Sequence, residues 1–197
     1  MNKSKPGASV ASCRALAALA AILVAAVAPA EESGGIMNFI EYTDRFASSG
    51  QPTAAQLTEL GQQGYQRVVY LAWTDNESSL DGEDRLVKSL GMEYMHIPVE
   101  WTAPTASDFY LFAGAMQRAP EKKTLLHCQA NYRAAAFSFL YRVLYEDIPV
   151  AEAKRDLNEI WSPNETWRDL IFDVLDEHGI SPHCDGCDWT PPPEPEV

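Results

Sequence analysis

Residues 125–137 read "LLHCQANYRAAAF". An apolar run ends in His127-Cys128, a short polar loop follows, and Arg133 opens an alanine-rich helical pattern. Two readings compete: a strand-to-helix turn that happens to contain a cysteine, or an anion cradle with a thiolate at its base. The electrostatics of such a junction favour the cradle. A helix begins with N–H groups that lack partners and with the positive end of its dipole. Both stabilise a thiolate over a thiol, and both attract an oxyanion. Arg133 adds a planar, permanently charged fork able to hold two oxygens of a tetraoxo anion. In the competing reading Cys128 is a buried structural residue and Arg133 is neutralised by a salt bridge.

Working outward, "RVVYLAW" (67–73), "MEYMHIPV" (92–99) and "KTLLHC" (123–128) are apolar runs of strand length, of the kind buried on both sheet faces. Between and after them lie helical patterns over 53–65, 78–91, 105–119, 133–146, 150–161 and 165–179. The first opens with a capping box from Thr53 to Gln56, the second ends at Gly91, and the third stops at Pro120. Residues 36–52 read as an extended lead-in with short strands, closed by Gly50 and Pro52. Strands alternating with helices predict an α/β fold, a parallel central sheet flanked by helices on both faces. In such sheets ligands sit at the carboxyl ends of the strands, which is where Cys128 falls.

At 197 residues and 46% hydrophobic content, the chain is long enough for one good core. Its first thirty residues read differently. Lys3, Lys5 and Arg14 form a basic leader, and "ALAALAAILVAAVAPA" (15–30) is an apolar run ending in small residues. Ala28-Pro29-Ala30 fits a signal-peptidase site, so residues 1–30 are expected to be a secretory signal. The alternative, a membrane anchor, suits the run less well, because it is short and made largely of alanine. The folded domain is then expected over 31–180, with a proline-rich tail over 181–197 that joins the core only through its turn and Trp189. The protein is expected to be exported, periplasmic if the cell is Gram-negative, without stable membrane insertion after cleavage.

Removing residues 1–30 takes away three basic residues and no acidic one, so the formal charge moves from −13 to −16. Such a surface repels nucleic acid and anionic membranes. An anionic substrate must be captured by a local positive feature. Cys13 leaves with the signal, which keeps Cys128, Cys184 and Cys187. "CDGC" (184–187) can close on itself across an Asp-Gly turn as a disulfide, leaving Cys128 unpaired. Unpaired or redox-active thiols, or a metal site recruiting His183 and Asp188, are the alternatives. No second Cys/His pair stands at ligand spacing. There is no P-loop, Gly-rich dinucleotide turn or Ser nucleophile elbow, so no cofactor is expected. Trp161, Trp167 and Trp189 read as core aromatics rather than a ligand groove, and His96 reads as a packed core histidine. Asp75, Asp81, Glu83 and Asp84 read as a solvated acidic cluster.

"HCQANYR" resembles the signature of the cysteine-dependent phosphatases, His-Cys, five residues, then Arg. Together with "SGQPTAAQLTELGQQGYQRVVYL" and "GMEYMHIPV", in that order and spacing, it resembles a bacterial branch of small protein-tyrosine-phosphatase-like proteins, sometimes fused to beta-lactamase-like hydrolases. The resemblance covers roughly residues 38–145 and implies a phosphatase-like fold of the phosphotyrosine protein phosphatase II type. It implies that Cys128 is the nucleophile, that Arg133 clamps the phosphate, and that His127 sits behind the loop and helps to hold the thiolate. Gln129, Ala130, Asn131 and Tyr132, with His127, would form the substrate-binding loop. Glu100, two residues after Pro98, is the carboxyl nearest the general-acid position, with Asp108 a weaker substitute. The substrate implied is a phosphate monoester on a protein or small molecule, phosphotyrosine among them.

The chain departs from the signature in three ways. Four residues, not five, separate Cys128 from Arg133, a spacing also found in the rhodanese loop. The loop lacks glycine, which makes Asn131 the residue expected in the left-handed conformation. Ala134 stands where a Ser or Thr usually follows the Arg, removing a hydroxyl that stabilises the departing thiolate. A sulfurtransferase carrying a persulfide on Cys128, or a catalytically inactive anion-binding module, are therefore the rival readings. The mature N-terminus is predicted at or near Glu31. Intact-mass measurement on the exported fraction checks this, and a full-length chain held in the membrane would overturn it.

Overall fold

The core strands are short because only four residues of each apolar run lie between partners. In the computed structural model, which describes Met1 and residues 35–191, β1 (Ile40–Thr43), β2 (Phe46–Ser49), β3 (Arg67–Tyr70), β4 (Glu93–His96) and β5 (Thr124–His127) form one five-stranded sheet. Their order is β1-β2-β5-β3-β4. Residues 2–34, which take in almost all of the segment expected to be a signal, and the end of the tail beyond residue 191 lie outside the described residues. Every residue of β2, β3 and β5 is buried, as strands in the middle of a sheet covered on both faces should be. The pairs β2–β5, β5–β3 and β3–β4 are parallel. The expected parallel central sheet is present, and an edge strand is added to it: β1 pairs antiparallel with β2, because only two residues, Asp44 and Arg45, connect them and a parallel crossover needs many more.

Successive residues of a strand face opposite sides of the sheet, and two cores result. Ala47, Val68 and Leu125 pack on one side with Leu57 and Leu60 of α1 (Ala54–Gln62) and Val87 of α2 (Glu83–Ser89). Phe46, Val69 and Leu126 face the other side. There they meet α3 (Ala106–Arg118), α4 (Tyr132–Tyr145), α5 (Val150–Ile160) and α6 (Glu165–Glu177) through Phe109, Phe112, Phe137, Leu157 and Trp167. The alanine-rich start of α4 is buried, its small side chains at Ala134–Ala136 fitting beneath the other helices. Among the described residues no helix is long and apolar enough to cross a membrane.

The Thr53–Gln56 capping box forms at α1: Gln56 N–H donates to Thr53 Oγ1, and Thr53 N–H donates to Gln56 Oε1. The helix expected over 78–91 is shorter. Gly82 is left-handed (φ 72°, ψ 23°) and serves as N-cap, while Asn76 Oδ1 ties Ser78 into a turn before it. His96 is not a packed core residue. It is exposed on the edge strand β4, with its Nε2 2.8 Å from the Ala72 carbonyl and its ring stacked on Tyr70.

The tail returns to the body. Cys184 and Cys187 are joined in a disulfide, and Trp189 packs edge-on against Phe139 and Phe172 with its Nε1–H donated to the Pro182 carbonyl. Buried Lys154 lies 4.5 Å over the Trp189 ring; burial pushes its ammonium pKa down and the Asp188 charge opposes that. Trp189→Ala is predicted to lower the unfolding free energy by about 3 kcal/mol, read as an earlier urea midpoint. Trp73→Ala, at an exposed site, should change it by about 0.5 kcal/mol or less.

Candidate active site

Parallel neighbours bring the carboxyl ends of β2, β5 and β3 level, with Ser49, His127 and Tyr70 in register. The chain leaving β5 is then held from the β2 side. The Cys128 N–H donates to the Ser49 carbonyl at 3.2 Å, and the Gln51 N–H donates to the Gln129 carbonyl at 3.0 Å. Gly50 is required between them, since a Cβ there would come within 2.9 Å of the Gln129 carbonyl oxygen.

Asn131 turns the chain into α4 in the left-handed conformation, φ 71° and ψ 1°. Its side chain does not cap the helix. Asn131 Nδ2 donates to the Asn38 carbonyl at 2.6 Å, and Asn38 Nδ2 donates to the Ala130 carbonyl at 2.9 Å. This reciprocal clasp, from a second left-handed asparagine at the N-terminal edge of the described residues, does the work that glycine would do in a more permissive loop. Among the described residues, the backbone N–H groups of Gln129, Ala130, Tyr132 and Arg133 donate to no protein acceptor. Amides without internal partners at a helix start are anion-binding groups.

A cavity of about 510 Å³ opens here, lined by Trp101, Cys128, Gln129, Ala130, Tyr132 and Arg133. Cys128 is the free cysteine among the described residues and is buried at its floor. Arg133 is buried too, but it has no carboxylate within salt-bridge distance among the described residues. Its Nε donates to the Val99 carbonyl at 3.1 Å, its Nη1 to Gln129 Oε1 at 3.2 Å, and its guanidinium lies 5.1 Å over the Trp101 ring. Neutral partners orient the fork without cancelling its charge. This disposes of the salt-bridge reading of Arg133.

The remaining expected site residues are placed differently. His127 is fully buried and does not line the cavity; strand alternation turns it toward α2, where its Nε2 lies 2.8 Å from Glu83 Oε1. The Asn131 side chain is likewise turned away from the cavity, to Asn38. Glu100 is exposed, and its Oε1 accepts from the Thr102 N–H and hydroxyl at 3.4 and 3.3 Å. It is adjacent in sequence to Trp101, which does line the cavity, but its carboxylate does not. Asp108 is engaged as the capping partner of Thr105 at the start of α3.

Glu83 corrects the reading of its acidic cluster as solvated. Asp75, Asp81 and Asp84 are exposed, but Glu83 is 4% exposed, accepts a hydrogen bond from Gln51 and lies at ion-pair distance from His127. Its charge adds to burial in raising the pKa of the nearby Tyr94 hydroxyl. Trp101 was also missed, although its place just past β4, at a strand carboxyl end, is the signal that could have found it. Trp167 and Trp189 are core residues as expected, whereas half-buried Trp161 stacks on Tyr132 at 4.9 Å and so braces the cavity wall.

Residues 21–162 match the family described as DSP-PTPase phosphatase fused to NAD+ kinase. A beta-lactamase hydrolase-like protein of Xylella fastidiosa is 27% identical over 111 residues, which is 55% of this chain. The chain spans only about a quarter (26%) of that relative's length. Among solved structures, a DUF442 protein of Shewanella putrefaciens CN-32 is 32% identical, with a TM-score of 0.67, covering 73% of this chain and 92% of its own. Tk-PTP, at 19% identity and a TM-score of 0.62, shares the fold over 72% of this chain and 96% of its own. TpbA of P. aeruginosa, solved in complex with pTyr, shares it at 15% identity and a TM-score of 0.52, over 71% and 82%. The chain therefore belongs to the DSP-PTPase family defined by its NAD+ kinase fusions, a branch of the cysteine phosphatases.

Proposed function

We propose that this chain is an exported cysteine-dependent phosphatase that hydrolyses phosphate monoesters through a phosphocysteine on Cys128. The observation that carries the reading is the convergence on one cavity of Cys128, an uncancelled Arg133 guanidinium and loop amides without protein acceptors. The Cys128 thiolate attacks phosphorus in line with the ester oxygen, forming an S–P bond as the P–O bond breaks. Arg133 and the amides hold the equatorial oxygens, where charge is greatest. The leaving oxygen takes a proton from Glu100, released from Thr102 when substrate is bound. Water then gives a proton back to Glu100 and attacks phosphorus, forming an O–P bond as the S–P bond breaks, so that inorganic phosphate departs and the thiolate is restored.

The second step is the weak one. Ala134 is fully buried and supplies no hydroxyl to the departing thiolate, so turnover should be slow. The cavity's aromatic side, Trp101 and Tyr132, favours an aryl ester such as phosphotyrosine, the ligand found on TpbA. Export accords with the tail disulfide, since such bonds persist in oxidising compartments, the periplasm among them.

An aryl phosphate assay should show weak turnover that needs no metal, is inhibited by vanadate, and is abolished in Cys128→Ser. Arg133→Lys should also lose most of the activity, because a point charge cannot replace a planar fork. Glu100→Gln should slow esters with poor leaving groups by about 10² to 10⁴ while sparing activated ones. Ala134→Ser should raise turnover. Thiosulfate-to-cyanide transfer is measured on the same preparation: robust sulfur transfer without phosphatase activity would make Cys128 a persulfide carrier. Anion binding with both assays silent, and no rescue by Ala134→Ser, would leave an anion-binding module.

A further inference from the structure

One buried carboxylate reaches both chain neighbours of Cys128. Glu83 is the first residue of α2, and its side chain points inward, while Asp84, Arg85 and Lys88 of the same helix are exposed. Its Oε1 lies 2.8 Å from His127 Nε2, and its Oε2 accepts from Gln51 Nε2 at 2.9 Å. The Gln51 backbone N–H holds the Gln129 carbonyl at 3.0 Å. His127 and Gln129 immediately precede and follow Cys128. The imidazole is also clamped by stacking: Tyr70 lies at 4.7 Å and 21° to it, and His96 stacks on Tyr70 at 5.3 Å.

A buried carboxylate is unfavourable unless its oxygens are answered by donors. Apolar residues would fill this space without that burden. What Glu83 provides instead is direction. A carboxylate only accepts, so at 2.8 Å its Oε1 favours a proton on His127 Nε2 by charge and proximity, while the stack on Tyr70 holds the ring plane. Through Gln51 it also fixes the height of the Gln129 carbonyl, and with it the amide that follows.

We propose that Glu83 is a positioning residue for the Cys128 loop, setting the tautomer and orientation of His127 on one side and the Gln129 carbonyl, through Gln51, on the other. Its consequence for turnover rests on the phosphatase reading above, but its consequence for loop geometry does not. Glu83→Gln keeps the shape but presents one acceptor and one donor, so it cannot accept from both Gln51 and His127. Either Gln51 is released or the ring proton moves to Nδ1.

The test uses the folded, disulfide-intact chain and three readouts that need no turnover: imidazole ¹⁵N shifts of His127, the rate of Cys128 alkylation by iodoacetamide, and tungstate affinity. In Glu83→Gln the ring proton should shift or Gln51 be released. Alkylation should change and tungstate binding should weaken, each about tenfold, with cooperative unfolding retained. Gln51→Met should leave the His127 tautomer unchanged and weaken tungstate about threefold or more. Alkylation and tungstate affinity within twofold of wild type in both variants would overturn the proposal and leave Glu83 a structural carboxylate. If Glu83→Gln fails to fold, Gln51→Met decides, and unchanged tungstate affinity there overturns it. A silent aryl phosphate assay beside shifted alkylation and tungstate binding would reject the hydrolase reading and leave the positioning role standing.

Discussion

The chain must pass from β5 into α4 across four residues without a glycine, and a left-handed Asn131 makes that turn possible. An L-residue in that conformation is held only if its surroundings over-determine it. Here the Asn38 clasp, the close approach of Gly50 and the Gln51–Gln129 bond do so together. The turn aims the loop amides at the cavity and starts α4 with Arg133 in its first turn. Cys128, held by Ser49 just before the turn, is left at the floor.

Charge is the second constraint. In a chain of formal charge −13, an anion is met by general repulsion, and local features must overcome it. The buried cations are treated differently from one another. Arg67 satisfies the Ala115 and Ala119 carbonyls at the end of α3, and Arg142 pairs with Asp156 at 2.5 Å. Arg133 alone among these three lines the cavity, oriented by a carbonyl, an amide oxygen and an indole face. Among the described residues one buried carboxylate lies near the site: Glu83, placed on the opposite side of the β5 strand end from the cavity, against His127. Positive potential is kept where the amides point, and the negative charge is used for alignment.

Local pattern was enough for much of this. Apolar runs of strand length, helical spacing, the Thr53 capping box and the order strand–Cys–loop–Arg–helix are properties of neighbouring residues, so the α/β class and the position of the Cys128 loop could be read directly. The left-handed Asn131 could also be read, because in a glycine-free loop asparagine is the residue that best tolerates that conformation. Composition likewise indicated a local capture site, since nothing else in so acidic a chain would hold an anion.

Tertiary structure decided what depends on residues far apart in sequence. Glu83 looked like part of a solvated cluster because its neighbours are; only the packing of α2 on the sheet face that carries Val68 and Leu125 brings it to His127, 44 positions later. His96 looked like core until β4 took the sheet edge, and Trp101 gained its place from the Trp167 Nε1–H bond to its carbonyl and the Arg133 guanidinium over its ring. The Asn38–Asn131 clasp spans 93 positions, and no periodicity encodes it. Sequence determined which residues could carry chemistry, because that follows from side-chain type and local spacing. The fold decided which of them face the cavity, because strand order and alternation, set by the whole core, turn His127 inward and leave Cys128 and Arg133 facing the cavity.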